Sequence, residues 1–179
     1  MRIAVPGTVL RVEEAELKDM ENRFCAMFLP GDMVLSQVAG ITGLEPYTVQ
    51  NWVKRGFLSP PVKKRYTLRQ LCRILHINML KAALPMEDIC GLLQYVNGKL
   101  EDESDDLIDD SVLYFLFLRL AYAPAERREE MIGQLLDEYR EPVPGAKERV
   151  GTVLDVMLTA WDAARLRAEA EEKIRRIKA

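Results

Sequence analysis

Residues 35–66, LSQVAGITGLEPYTVQNWVKRGFLSPPVKKRY, constrain this chain more than any other stretch. A short helix is expected over residues 35–40, with Val38 and Ala39 turned inward. Gly43 follows where a tight interhelical turn needs a backbone conformation that glycine adopts at little cost. Leu44 buries the corner, and Pro46 suits the first turn of a second helix, where a missing amide hydrogen does no harm. Along that helix Val49, Trp52 and Val53 share an apolar face, while Tyr47, Gln50, Asn51 and Lys54 fall on the other side at helical spacing. Gly56 is placed to end it with a left-handed residue. The pattern predicts a helix-turn-helix whose outward side chains are of the types that reach base edges in a major groove.

A stiff cationic loop comes next. Phe57–Leu58 and residues 64–66 are expected to form the two strands of a wing, with Ser59, Pro60 and Pro61 rigidifying the turn. A preshaped loop loses less entropy when it grips a phosphate backbone. Lys63, Lys64 and Arg65 place three consecutive cations there, beside the second helix. Read as function they hold phosphates; read blandly they are a solvated charged loop.

These residues carry a resemblance. The stretch is similar to the DNA-binding head of the MerR family of bacterial regulators, and the likeness continues through KRGFLSPPVKKRYT into LRQLCRILHINMLKAALPMEDICGLL. The segments SPPVKKRY and DDSVLYFLF, with the acidic linker between them, resemble an uncharacterised bacterial family, domain of unknown function family 1836. The resemblance implies a mostly α fold: a MerR-like winged helix-turn-helix with a two-stranded wing, followed by an all-helical C-terminal domain. It also implies binding to double-stranded DNA. MerR regulators often have an arginine and a tyrosine where this chain has Gln50 and Asn51, so base contacts at those positions differ here.

Charge agrees with a localised nucleic-acid face. The net charge of −3 argues against a simple nucleic-acid binder, but residues 31–84 hold eight Lys or Arg against Asp32 and Glu45. That module is basic and the rest of the chain acidic, which confines phosphate binding to one surface. Gln50 and Asn51 are the expected base readers, with Tyr47 as alternate; Thr48, Lys54, Lys63, Lys64, Arg65 and Arg69 would position the backbone.

Four segments are expected: an N-terminal helix packing on the head (1–30), the winged helix-turn-helix (31–98), an acidic linker (99–110) and a helical C-terminal domain (111–179). A short extended piece is expected at residues 8–12, then an amphipathic helix over 13–28. Thr67 with Gln70 makes a capping box that starts a helix to about residue 83. Its buried side is read as Leu68, Leu71, Cys72, Leu75 and Met79, with Arg69 and Arg73 on the opposite, exposed face. Pro85 opens another helix, ended by Asn97–Gly98.

Seven of the eleven residues 100–110 are Asp or Glu. They read first as a solvated linker, or alternatively as a strip lying on the basic face in competition with DNA. Residues 111–122 are apolar nearly all round and must be covered. A helix opening at Pro124 is expected to carry a stripe of Met131, Ile132, Leu135, Leu136 and Tyr139. In the last helix Val150, Leu154, Met157, Trp161, Ala164 and Ala168 alternate at four and three, a seam suited to a homodimer or to packing within one chain.

No nucleotide-binding or hydrolase motif is present, and an enzyme is not expected. His76 is the sole histidine; paired with Cys72 it makes a poor metal site. No cofactor is implied. Cys25, Cys72 and Cys90 sit in apolar helical patterns and read as reduced core residues of a cytoplasmic protein. The longest apolar run, 112–118, is far short of the ~20 residues that span a bilayer. The expected function is transcription regulation by a dimer with heads about one helical turn apart. The competing reading is a winged-helix protein-interaction module without DNA.

Overall fold

The computed structural model describes residues 2–178, mostly helical with two small antiparallel two-stranded sheets. The first is a hairpin of β1 (Arg2–Ala4) and β2 (Arg11–Glu13), in register Ile3 to Val12, which puts both apolar side chains on one buried face. This replaces the single extended piece expected at 8–12. A 3-10 segment over Glu14–Asp19 then leads into α1 (Met20–Met27), so the expected helix over 13–28 is regular only in its second half.

Next come β3 (Met33–Val34), α2 (Leu35–Thr42) and α3 (Pro46–Lys54). The local signals operate as the residue types require. Gly43 caps α2 at φ 70°, Pro46 opens α3, and Gly56 follows its end at φ 75°. The wing is built differently from expectation. β4 (Arg65–Tyr66) pairs with β3, in register Met33 to Tyr66 and Val34 to Arg65, and not with Phe57–Leu58. The reason lies in burial: the Phe57 amide donates to the Trp52 carbonyl and Leu58 is 1% exposed, so that dipeptide folds under the end of α3 into the core.

The molecule is built around α4 (Leu68–Leu80). Its capping box is complete: the Gln70 amide donates to Thr67 Oγ1 at 3.2 Å and the Thr67 amide to Gln70 Oε1 at 3.0 Å. Ile74 and Ile77 are buried as well as the expected stripe of Leu71, Cys72 and Leu75. The face expected to be exposed is instead covered, because α4 packs against α2 and β4 as well as against α6 (Asp110–Leu120) and α8 (Ala146–Lys178). α5 (Met86–Asn97) lies along α8. A 3-10 turn over Ala125–Arg127 precedes α7 (Arg128–Leu135), which holds the start of the expected stripe.

The N-terminal hairpin is tied to this body by polar side chains. Tyr114 Oη donates to the Pro6 carbonyl at 2.8 Å, Tyr122 Oη to Ala4 at 2.7 Å, and Asn78 Nδ2 to Gly7 at 2.8 Å. At Gly7, φ is +75° and a Cβ would stand 2.5 Å from the Leu75 carbonyl oxygen, so only glycine fits the approach. Buried residues from all four expected segments join one continuous apolar cluster.

The α8 seam belongs to that cluster. Val150, Leu154 and Met157 are fully buried, and Trp161 meets Phe117 and Tyr122 edge-on, with centroids 6.5 and 6.4 Å away. The expected dimer contact around Met157 and Trp161 is thus consumed inside the chain. Cys72 is buried as expected and Cys90 partly so, but Cys25 is exposed, on the outer side of α1. Among the described residues no helix is long and apolar enough to cross a membrane.

Candidate nucleic-acid interface

Burial of Val49 and Trp52 sets the rotation of α3 and leaves its other edge in solvent. Tyr47 is 71% exposed, Gln50 and Lys54 are exposed, and Thr48 and Asn51 are half-buried. Gln50 and Lys64 line one groove of about 360 Å³ whose other walls are Leu35, Val53, Pro61 and Tyr66. The helix edge and the cationic turn therefore meet at a common surface.

The turn itself is unusual. The Arg65 amide donates to the Val62 carbonyl at 2.9 Å, and the two central residues, Lys63 and Lys64, have φ of 50° and 62°. Two successive left-handed residues in a two-residue hairpin are the mark of a type I′ turn, for which Asn-Gly is the preferred pair. Each lysine there costs of the order of 1–3 kcal/mol of backbone strain. Both side chains are exposed, and among the described residues no ion pair engages Lys54, Lys63 or Lys64. The chain thus keeps two free cations at positions that its backbone would concede more readily to Asn and Gly.

The loop leading to this turn is clamped from beneath. Gln70 Nε2 donates to the Ser59 carbonyl at 3.0 Å, to Ser59 Oγ at 3.1 Å and to the Pro60 carbonyl at 3.2 Å. One side chain closes the capping box with its oxygen and holds the loop with its nitrogen. The T-x-x-Q pattern announced only the first of these; the second depends on a contact eleven residues away. Leu35, Val53, Pro61 and Tyr66 were likewise unmarked in sequence as walls of a shared groove.

Two expected phosphate contacts are placed differently. Arg65 Nη1 donates to the Asp32 carbonyl at 2.8 Å, which fastens the β3–β4 pair. Arg69 is enclosed by carboxylates: it bonds Asp106, and lies 3.4 Å from Glu103, 3.6 Å from Asp109 and 3.6 Å from Asp110. Arg73, also read as a surface cation, is 5% exposed and 3.4 Å from Asp110. The acidic segment is a solvated linker only in its first half: residues 101–105 are exposed, whereas residues 106–110 lie on α4, with Leu107 and Ile108 buried and the Leu107 amide donating to the Val96 carbonyl at 2.7 Å.

Asp110 is the centre of this network. Burial by itself would push its carboxyl up; His76, Arg73 and Arg69 outweigh that and hold it below the usual carboxylate range. His76 is fully buried, with Nδ1 3.7 Å from Asp110, and burial lowers its basicity. The sign of the resulting pH dependence follows. The unfolded chain takes up a proton near pH 6.5, whereas the folded chain resists doing so. Stability is then fullest above that pH and declines as pH falls toward the lowered folded value. Urea melts between pH 7.5 and 5 are expected to show this decline, and His76→Gln is expected to flatten it, since no other histidine contributes. An unchanged slope in the variant would assign the effect elsewhere.

Comparison with known proteins adds a partial family likeness but no activity. Residues 32–117, from β3 to within α6, match the model of a domain of unknown function, DUF1836. The chain is 30% identical over 84 residues to the uncharacterised protein YkrK of Bacillus subtilis (strain 168), an alignment covering 45% of this chain and 36% of that protein. The chain thus spans little more than a third of this curated relative. No solved structure matches. Together these likenesses support an uncharacterised family for the part of the chain that carries α3, the cationic turn and the acidic segment.

Proposed function

We propose that this protein binds double-stranded DNA and regulates transcription, with α2 and α3 acting as a MerR-like helix-turn-helix and the Val62–Arg65 turn as its wing. The observation that carries the reading is the strained Lys63–Lys64 turn sharing a groove with Gln50 of the exposed helix edge. In this reading α3 enters the major groove, where Gln50 and Asn51 read base edges, with Tyr47 as alternate. Lys54, Lys63 and Lys64 neutralise phosphates, and the half-buried Thr48 of α3 positions the DNA backbone. Arg65 supports the turn from its bond to Asp32, and Arg69 anchors the acidic segment instead of touching DNA. The site calls for no cofactor, and the protein would work in the cytoplasm.

The groove also supports a second reading. Four of its six walls are Leu35, Val53, Pro61 and Tyr66, and Tyr47 on α3 and Val62 at the turn are each 71% exposed, as suits a protein partner's side chain. Salt separates the two. Binding to duplexes selected from a random pool, followed by fluorescence anisotropy, is expected to weaken steeply with salt. Lys63→Ala with Lys64→Ala should weaken all sequences alike, while Gln50→Ala or Asn51→Ala should shift preference by ~1–3 kcal/mol at one base pair. A double-lysine variant that binds DNA as well as the parent would overturn the regulator reading.

A further inference from the structure

The outward edge of α3 is chemically selective. Its two central polar side chains, the exposed Gln50 and the half-buried Asn51, are both carboxamides. Among the described residues no hydrogen bond of the protein engages either side chain, so each keeps its donor and its acceptor for another molecule. In a major groove a carboxamide matches adenine: its oxygen accepts from the N6 amino group while its nitrogen donates to N7. Arginine, the commonest partner of guanine, is missing from this edge. Arg55 follows the helix end, with its guanidinium over the Phe57 ring, 4.5 Å from the centroid. Lys54 stands in the last turn, away from the N-terminal end that a recognition helix presents to bases.

Gln50 also lines the groove of about 360 Å³ between α3 and the cationic turn. Leu35, Val53, Pro61 and Tyr66 make most of that lining apolar, and Lys64 adds one cation. Among the described residues no ion pair neutralises this lysine. Bases display a single apolar group in the major groove, the 5-methyl of thymine. An apolar recess that begins at a carboxamide and ends at a free cation therefore suits one nucleotide type: a thymidylate next to an adenine, with its methyl on the apolar walls and its phosphate at the lysine.

We infer that Gln50, Asn51 and this groove select a run of A·T pairs, an inference that rests on the DNA-binding reading and gives it a sequence preference. Gln50 and Asn51 each take the N6 and N7 groups of an adenine, in neighbouring pairs. The groove takes the methyl of a thymine stacked beside the adenine of Gln50. A G·C pair fits neither part. Guanine presents acceptors at both N7 and O6, which leaves the carboxamide oxygen facing another acceptor with no proton between them. Cytosine has no methyl, so the apolar walls gain no contact.

The test uses the full chain at low salt, duplexes selected from a random pool, and anisotropy titrations of the selected duplex and its base analogues. The expected consensus contains a run of A·T pairs. Placing 7-deazaadenine at each adenine in turn keeps Watson–Crick pairing and deletes N7. At two neighbouring pairs this should weaken binding ~10-fold. The loss at one pair should vanish in Gln50→Ala and the loss at the other in Asn51→Ala, with helix content unchanged in Gln50→Ala because that side chain is exposed. Deoxyuridine in place of the thymine removes only the methyl and should cost ~4-fold, the transfer free energy of one such group. Val53→Thr, which sets a hydroxyl in the groove wall at nearly equal volume, should abolish that cost. Salt-dependent binding with a G·C consensus, or binding indifferent to both analogues, overturns this inference and leaves the DNA-binding reading in place. Failure to bind any duplex overturns both.

Discussion

Asp110→Ala is expected to lower the stability of the fold by about 3–5 kcal/mol, the range seen when one partner of a buried ion pair is removed. At this chain length that corresponds to a fall in Tm of roughly 6–20 °C. Asp110 is 1% exposed at the start of α6, with Arg73 and His76 reaching one carboxylate oxygen and Arg69 the other. Without the carboxylate, Arg73 is left as an uncompensated charge 5% exposed to solvent. The companion variant separates charge from packing. Asp110→Leu combined with Arg73→Met removes both ions, and much of the loss should return, because apolar pairs of similar volume often replace buried ion pairs without penalty. Urea unfolding of the single and double variants measures both. A loss below about 1 kcal/mol in Asp110→Ala would class the pair with solvent-screened surface bridges.

Lys63→Asn with Lys64→Gly is expected to move stability and binding in opposite directions. The parent turn holds two lysines at φ 50° and 62°. Asn-Gly is the pair that a type I′ turn prefers, so the variant should be more stable by ~1–2 kcal/mol. The same change deletes two exposed cations, of which Lys64 shares a groove with Gln50. Under the proposed function, affinity for duplex DNA at low salt should fall ~10–100-fold, and the log–log salt slope should shrink by about 2. Thermal melts and anisotropy titrations on one preparation read both quantities. A variant more stable and equally tight would show that the strained lysines serve something other than phosphates; a less stable one would contradict the strain itself.

What could be read from residue order was local in origin. Gly43, Pro46 and Gly56 delimit α2 and α3 because each acts on its own φ or on a neighbouring amide. Thr67 and Gln70 start α4 through bonds three residues apart. The exposed edge of α3 was legible because Val49 and Trp52 repeat at helical spacing. The strand partner of Arg65–Tyr66 was not. The spacing pointed to Phe57–Leu58, but Leu58 is drawn into the core and Met33–Val34 takes the pairing. Arg69 and Arg73 looked like surface cations for the same reason: nothing within a turn of either one announces the carboxylates 37 residues later.

Residue order was enough to set where the helices around residues 35–54 begin, how α3 rotates and which of its side chains are polar, while α2 runs two residues past the expected end at 40. These follow from backbone sterics and helical period, which act over a few residues. Long-range packing laid residues 106–110 on α4, spent the Val150–Met157 seam within the chain and brought Gln50 and Lys64 to one groove. Those outcomes depend on which apolar faces cover one another. A buried charge finds its partner only after that packing is chosen, because burial is what makes an unpaired charge costly.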